Sequence, residues 1–203
     1  MPALTTHRPL PVLTPADLRY IRASFTRLDD LSAAPAHLAA LITEGRLPRP
    51  AYVLADGTAM VGHDYLALLD AAGTIDALPA TFASRYRAAA GTVADVAVDD
   101  AWEGYLTGEY GVCLREVTPE TIFRKDQLVA TLTAQLASPA PEDPSWRRAL
   151  LERVIALDRL TRPFAPCDRI RFGGPVSRDR LIDEPRRSYP RVFAEAALGS
   201  ATS

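Results

Sequence analysis

Residues 118–160 read TPETIFRKDQLVATLTAQLASPAPEDPSWRRALLERVIALDRL, and the spacing of their apolar positions sets the fold class. Thr118, Pro119 and Glu120 open a helix. Threonine can cap it, proline suits the first position because its missing N–H would go unpaired there anyway, and glutamate sits at the positive end of the dipole. Ile122, Leu128, Leu132 and Leu136 then recur at helical intervals, which predicts a helix to about residue 136. The run ASPAPEDP ends it. Asp143 and Pro144 open a second helix, from Ser145 to about Leu160, on which Leu150, Leu151, Val154, Leu157 and Leu160 make a wide apolar stripe. Two long helices joined by a short proline-rich connection pack as an antiparallel hairpin, so the expected class is mainly α.

Upstream lies the segment richest in candidate chemistry, DAWEGYLTGEYGVCLREV at residues 99–116. Glu103 and Glu109 are separated by Gly104 and Gly108, so a turn there can bring the two carboxylates together. A carboxyl buried beside Trp102 or Tyr105 loses hydration, its pKa rises, and it becomes suited to general acid or base work. The alternative is architectural: the glycines permit sharp backbone geometry while the aromatic rings fill the core. Cys113 lies between Val112 and Leu114, which reads as a small buried hydrophobe. As a catalytic nucleophile it would need a nearby cation to hold its thiolate, and Arg115 is the candidate in sequence. Tyr105 and Tyr110 are the residues to orient a ligand. Further upstream, Phe82 and Tyr86 mark a helix over residues 76–90, and GTVADVAVDD at 91–100 is the expected linker.

Downstream, RPFAPCDRIRFGGPVSRDRLIDEPRR at residues 162–187 reads as an irregular tail in which arginines alternate with acids. Arg171 or Arg178 can hold an anionic group through a guanidinium fork, with Gly173 and Gly174 exposing backbone donors. Equally, the arginines and aspartates can pair and fasten the tail over the helices. Gly-Gly-Pro is not a phosphate-binding loop of the Walker type, since no Gly-Lys-Ser/Thr follows, and it is not a dinucleotide fingerprint. No cofactor is expected.

At the N-terminal side, residues 1–13 hold three prolines and no periodicity and read as an arm. Thr14, Pro15 and Asp17 start a helix that carries Leu18, Ile21 and Phe25. Two short helices follow, the first capped by Thr26, broken at 32–35, the second ending at Gly45 with Leu38, Leu41 and Ile42 inward. Tyr52-Val53-Leu54 and Ala59-Met60-Val61 flank Asp56-Gly57, a hairpin signal. A helix from about Asp64 comes after it. The pattern Pro35, Leu38, Gly45-Arg46-Leu47-Pro48, Arg49-Pro50 and Asp56-Gly57 resembles the winged helix-turn-helix module of MerR-type and excisionase-type DNA binders, over residues 25–70. It departs from that pattern at the entrance of the reading helix. Ala34 to Ala40 offers only His37, where groove readers present Arg, Lys, Asn or Gln.

Over residues 16–190 the chain also resembles an uncharacterised actinobacterial family associated with natural-product biosynthesis. The resemblance rests on Leu47-Pro48-Arg49-Pro50, Tyr52, Asp56-Gly57, Trp102-Glu103-Gly104-Tyr105, Gly108, Tyr110-Gly111-Val112-Cys113-Leu114, Phe164-Ala165-Pro166 and Arg171-Phe172-Gly173-Gly174-Pro175. It implies a small-molecule role in secondary metabolism and names no reaction.

Composition narrows the classes further. Of 203 residues 48% are hydrophobic, enough for a sizeable core, and 23 bases against 25 acids leave a net charge of −2, which argues against binding nucleic acid or anionic lipid through bulk charge. All but one of the bases are arginine, the exception being Lys125. Two cysteines form neither a disulfide framework nor a zinc pattern, and His7, His37 and His63 lack ligand spacing, so no metal is expected. The opening MPALTTHRPLPVLTP has no signal-peptide pattern, and no stretch is apolar enough to span a bilayer. The expectation is a cytoplasmic protein with a winged helix-turn-helix-like unit at 14–75 and a helical region with the arginine-rich tail at 76–190, packed as one body.

The function read from these features is a natural-product biosynthesis protein. It is either an enzyme using cofactor-independent acid/base catalysis or a substrate-binding accessory, with its pocket between the Trp102–Arg115 corner and the tail. Glu103, Glu109 and Cys113 are the catalytic candidates. Trp102, Tyr105, Tyr110, Arg115, Arg171 and Arg178 are the ligand-binding ones. The expected partner is a small-molecule substrate, and the sequence is compatible with a homodimer. Two alternatives stay open: a MerR-like, metabolite-sensing DNA-binding regulator and a non-catalytic protein-interaction module.

Overall fold

A computed structural model describes residues 4–32 and 34–199. Its largest unit is the pair α7 (Pro119–Ala137) and α8 (Pro144–Leu160), antiparallel across the 138–143 connection. Thr118 caps α7 by accepting from the Thr121 N–H, and Asp143 caps α8 by accepting from Ser145 at 2.8 Å, as the proline-led starts predict. Leu128, Leu132, Leu150, Val154 and Leu157 interlock between the two helices. Leu181 and Ile182 from the C-terminal segment close that core, with Trp146 set edge-on to Tyr189 at 5.0 Å.

Ahead of the hairpin run α1 (Pro15–Ser24), β1 (Thr26–Arg27), a 3₁₀ turn (Leu28–Asp30), α2 (Pro35–Thr43), β2 (Tyr52–Val53), β3 (Ala59–Val61), α3 (Ala67–Ala72), α4 (Leu78–Ala90), α5 (Asp95–Leu106) and α6 (Glu109–Cys113). After it come α9 (Pro166–Arg171), a π-helical turn (Asp179–Asp183), α10 (Glu184–Ser188) and α11 (Pro190–Gly199). Eleven α-helices and one three-stranded antiparallel sheet, ordered β1-β3-β2, make the described chain mainly α with a small hairpin. One buried cluster runs from Leu28, Leu38 and Leu47 through Phe82 and Tyr105 to Leu114 and Ile122 and joins α2, β3 and α3–α7, while Ile21 of α1 and Tyr52 of β2 pack in a second cluster with Ala165 and Cys167.

Four expectations need correction. The first helix of the helix-turn-helix is absent: Thr26 and Arg27 pair with Val61 and Met60 in the sheet, leaving a single 3₁₀ turn before the break. So short a segment cannot repay helix nucleation, whereas pairing with β3 satisfies its backbone at once. The sheet therefore extends beyond the hairpin. The 91–100 linker is only four residues of non-helical chain, because α5 begins at Asp95 and runs through Gly104; the first glycine corner is helix. The tail is helical rather than irregular. Its charges mask a buried apolar series, Val176, Leu181, Ile182 and Val192, of which Leu181 and Ile182 pack into the hairpin core. Finally, the arm is partly packed, with Leu4, Leu10 and Leu13 against the two N-terminal clusters; residues 1–3 of it lie outside the described residues.

Candidate functional site

A cleft of about 400 Å³ opens where α5, α6 and α7 face the segment that follows α8. One wall carries Gly104, Thr107, Glu109, Tyr110, Cys113 and Lys125; the other carries Phe164, Phe172, Pro175, Val176, Ser177 and Arg180. The reversal between α5 and α6 is possible only because residue 108 is glycine. Its φ is +75°, and a Cβ there would lie 2.0 Å from the Arg49 carbonyl oxygen, a backbone atom that cannot step aside. Gly104 matters in another way, since a Cβ on it would come 3.0 Å from the Tyr110 ring that lies over α5.

The second wall is tied to the first by backbone. Arg162 N–H donates to the Cys113 carbonyl and Arg115 N–H to the Leu160 carbonyl, each at 2.9 Å. The Arg162 side chain, 8% exposed, donates to the carbonyls of Leu114, Ser24 and Arg115 at 2.7, 2.9 and 2.9 Å and lies 4.5 Å from the centre of the Phe25 ring. Phe164, two residues on, stands edge-on to Phe172 with ring centres 6.2 Å apart.

The charges in the cleft are unevenly matched. Glu109, the one lining carboxylate among the described residues, receives Arg8 Nε at 2.6 Å, with His7 at 3.7 Å. Lys125 and Arg180 make no ion pair among the described residues; the Lys125 ammonium lies 5.0 Å from the centre of the Tyr110 ring. The Tyr110 hydroxyl donates to Asp126 at 3.1 Å, and burial, with that carboxylate beside it, pushes its pKa well up. Burial likewise raises the Cys113 thiol, against the opposing pull of the Lys125 charge. Both groups hold their protons near neutral pH, so neither is a ready nucleophile.

Of the residues the sequence singles out, Glu109, Tyr110 and Cys113 line this cleft and the others do not. Glu103 is exposed on α5 outside it, so the two carboxylates do not converge. Trp102 packs on Phe82 and Tyr105, and Tyr105 is buried beside a crevice of about 30 Å³ on the opposite side of α5 and α6. Arg115 is exposed. Arg171 is buried, donates to the Ala51 carbonyl at 2.8 Å and lies over the rings of Tyr52 and Phe172. Arg178 and Arg186 both bind Asp158, and Arg169 binds Asp179, so these tail arginines fasten helices. Lys125, Phe172 and Thr107 were not among the candidates. The available signal was that Lys125 is the only lysine of the chain.

Beneath Phe172 lies a second polar cluster. Asp168, fully buried, caps α9 by accepting from Ala165 N–H at 2.8 Å and also accepts from the Tyr52 hydroxyl at 3.0 Å. Burial raises its pKa. Among the described residues its second oxygen and Arg171 Nε are buried without a hydrogen-bond partner. Asp17 accepts from the Cys167 N–H at 3.1 Å and so holds the same helix start. No group of three or more His, Cys, Asp or Glu among the described residues could hold a metal, and no described helix is long and apolar enough to cross a membrane.

Residues 74–190, more than half of the chain, match a family of unknown function, DUF6058. The chain belongs to that family. Every residue lining the cleft falls within the matched span, whereas Arg8 and the three-stranded sheet fall outside it. No curated protein and no solved structure matches the chain.

Proposed function

We propose that the protein handles a small molecule in the cleft between α5–α7 and the segment following α8, as a substrate-binding accessory in natural-product biosynthesis. The observation that carries this reading is the cleft itself: a hollow of about 400 Å³ whose walls mix aromatic rings with unspent polar groups. Its position inside the family-matched span supports the reading, since the family's shared part then includes the whole hollow. The resemblance over residues 16–190 to proteins associated with natural-product genes supplies the biosynthetic context. Binding rather than nucleophilic catalysis is favoured because the Cys113 thiol and the Tyr110 hydroxyl are both driven toward their protonated forms.

The DNA-binding alternative draws less support. α2 presents PAHLAALIT, without lysine or arginine, and Leu38, Leu41 and Ile42 turn inward. Arg46, in the loop that follows α2, is paired with Asp76 and so is not free for a phosphate.

The test is genetic and structural together. Deleting the gene in its host should alter the small-molecule profile, and wild type should restore it. Ser177→Trp, which fills the cleft from one wall, should not restore it. A profile indifferent to deletion, or fully restored by Ser177→Trp, would overturn the proposal.

A further inference from the structure

The charge pattern of the cleft goes further than its shape. The segment from 162 to 187 carries seven arginines, and the fold commits most of them to internal partners. Arg162 and Arg171 donate to backbone carbonyls, Arg169 binds Asp179, Arg178 and Arg186 share Asp158, and Arg187 reaches Glu184. Arg180 is the one left without an ion pair or side-chain hydrogen bond among the described residues, and it is the one that lines the cleft. Lys125 on the facing wall is likewise without an ion pair there. Glu109, the only lining carboxylate among the described residues, is already matched by Arg8 at 2.6 Å. The hollow thus keeps two cations that make no ion pair among the described residues, with the Ser177 hydroxyl as an additional donor, beside the apolar surfaces of Phe164, Phe172, Pro175 and Val176.

Resting on the small-molecule reading above, we infer that the ligand is an amphipathic organic anion. Its carboxylate, sulfonate or phosphate group meets Lys125, Arg180 and Ser177, and its apolar or aromatic body lies against Phe164 and Phe172. The pairing follows from elementary costs. Cations in a concave, partly apolar site attract anions more strongly than cations in open water do, because the local dielectric is lower and the walls focus the field. A charge-assisted hydrogen bond to an anion is about twice as strong as a neutral one. The rings supply the remaining affinity by burying the ligand's apolar surface. A neutral ligand would leave both cations unmatched, and a small inorganic anion would leave the rings wet.

Two probes of one shape separate the terms: 8-anilinonaphthalene-1-sulfonate, an aromatic anion, and N-phenyl-1-naphthylamine, its uncharged counterpart. Fluorescence titration of the full chain should show the sulfonate bound in preference to the amine. Lys125→Met and Arg180→Met should each weaken the sulfonate about five- to tenfold and leave the amine within about twofold. Raising ionic strength should weaken only the sulfonate. Lys125 is the only lysine, so acetylation at that residue, read by mass spectrometry, gives a second measure, and bound sulfonate should slow it. If the amine binds as tightly as the sulfonate and neither substitution discriminates, the anion inference falls while the cleft reading stands. If neither probe binds, or Ser177→Trp fails to block them, both fall.

Discussion

Arg162→Met offers the sharpest test of how this fold is held. The side chain is 8% exposed and donates three hydrogen bonds, at 2.7, 2.9 and 2.9 Å, to carbonyls of Leu114, Ser24 and Arg115. Those carbonyls belong to the end of α1 and the strand-like segment after α6, so one guanidinium joins three pieces of chain distant in sequence. Methionine keeps the stem's volume and removes all three donors. A hydrogen bond involving a charged group contributes about 1.5–3 kcal/mol net, and the lost contact over Phe25 adds somewhat under 2 kcal/mol. The three bonds share one guanidinium and do not add in full, so a destabilisation of about 4 kcal/mol, near the low end of their sum, is expected. For a chain of this length each kcal/mol shifts Tm by about 2–4 °C, so the midpoint should fall by about 8–16 °C. Thermal unfolding followed by far-ultraviolet circular dichroism, with urea titration for the free energy, reads this directly. Arg162→Lys, able to reach fewer of the carbonyls, should fall in between. A methionine variant within about 1 kcal/mol of wild type, or a lysine variant equal to it, would refute the assignment of Arg162 as the joint.

Gly108→Ala should cost more than about 2 kcal/mol, because it combines a positive φ with a Cβ 2.0 Å from the Arg49 carbonyl oxygen; Gly73→Ala, at φ +75° with open space around it, should cost only about 1 kcal/mol, and urea titration compares them. Asp168→Asn should change the pH profile of stability. Burial raises the Asp168 pKa above its unfolded value near 4, so the folded state binds the proton more tightly. Wild type should therefore gain stability relative to the variant as pH falls from neutral toward about 4, and parallel profiles would contradict this. Asp158→Asn should loosen residues 177–188, read as faster amide exchange there than in α7. Burial works against the Asp158 carboxylate, but Arg186 and Arg178 outweigh it and hold its pKa below the ordinary range. The contribution of that cluster is therefore complete above about pH 4 and is lost as pH falls below it.

The helix hairpin was legible because its signals are local. Thr118-Pro119 and Asp143-Pro144 announce helix starts through capping chemistry that needs no tertiary partner, and the leucine spacing fixes which face is buried. The hairpin at 52–61 was legible for the same reason, through Asp56-Gly57. Thr26 was misread because its alternatives, helix cap and strand, differ only in whether β3 lies alongside, and β3 is more than thirty residues away in sequence. Gly104 was misread because glycine announces both a turn and a close approach. Here it is a helix position cleared for the Tyr110 ring, which arrives from the next helix.

The cleft illustrates a different limit. The sequence reading put a pocket between the 102–115 corner and the arginine-rich segment and singled out Arg171 and Arg178, neither of which lines the cleft. Every arginine from 169 to 187 has an acid within a few residues, so spacing assigns plausible partners to all of them alike. What decides is the partner from another element. Asp158 on α8 takes Arg178 and Arg186, and the Ala51 carbonyl takes Arg171, which leaves Arg180 to face the hollow. On the proposed reading, structural pairing and ligand binding are complementary roles for one arginine-rich segment. The paired residues hold the wall at the distance from α6 that lets the unpaired one share a cleft with Lys125. On this logic a variant that loosens the pairing, such as Asp158→Asn, should weaken sulfonate binding without touching the ligand, while Lys125→Met should weaken it without loosening the wall.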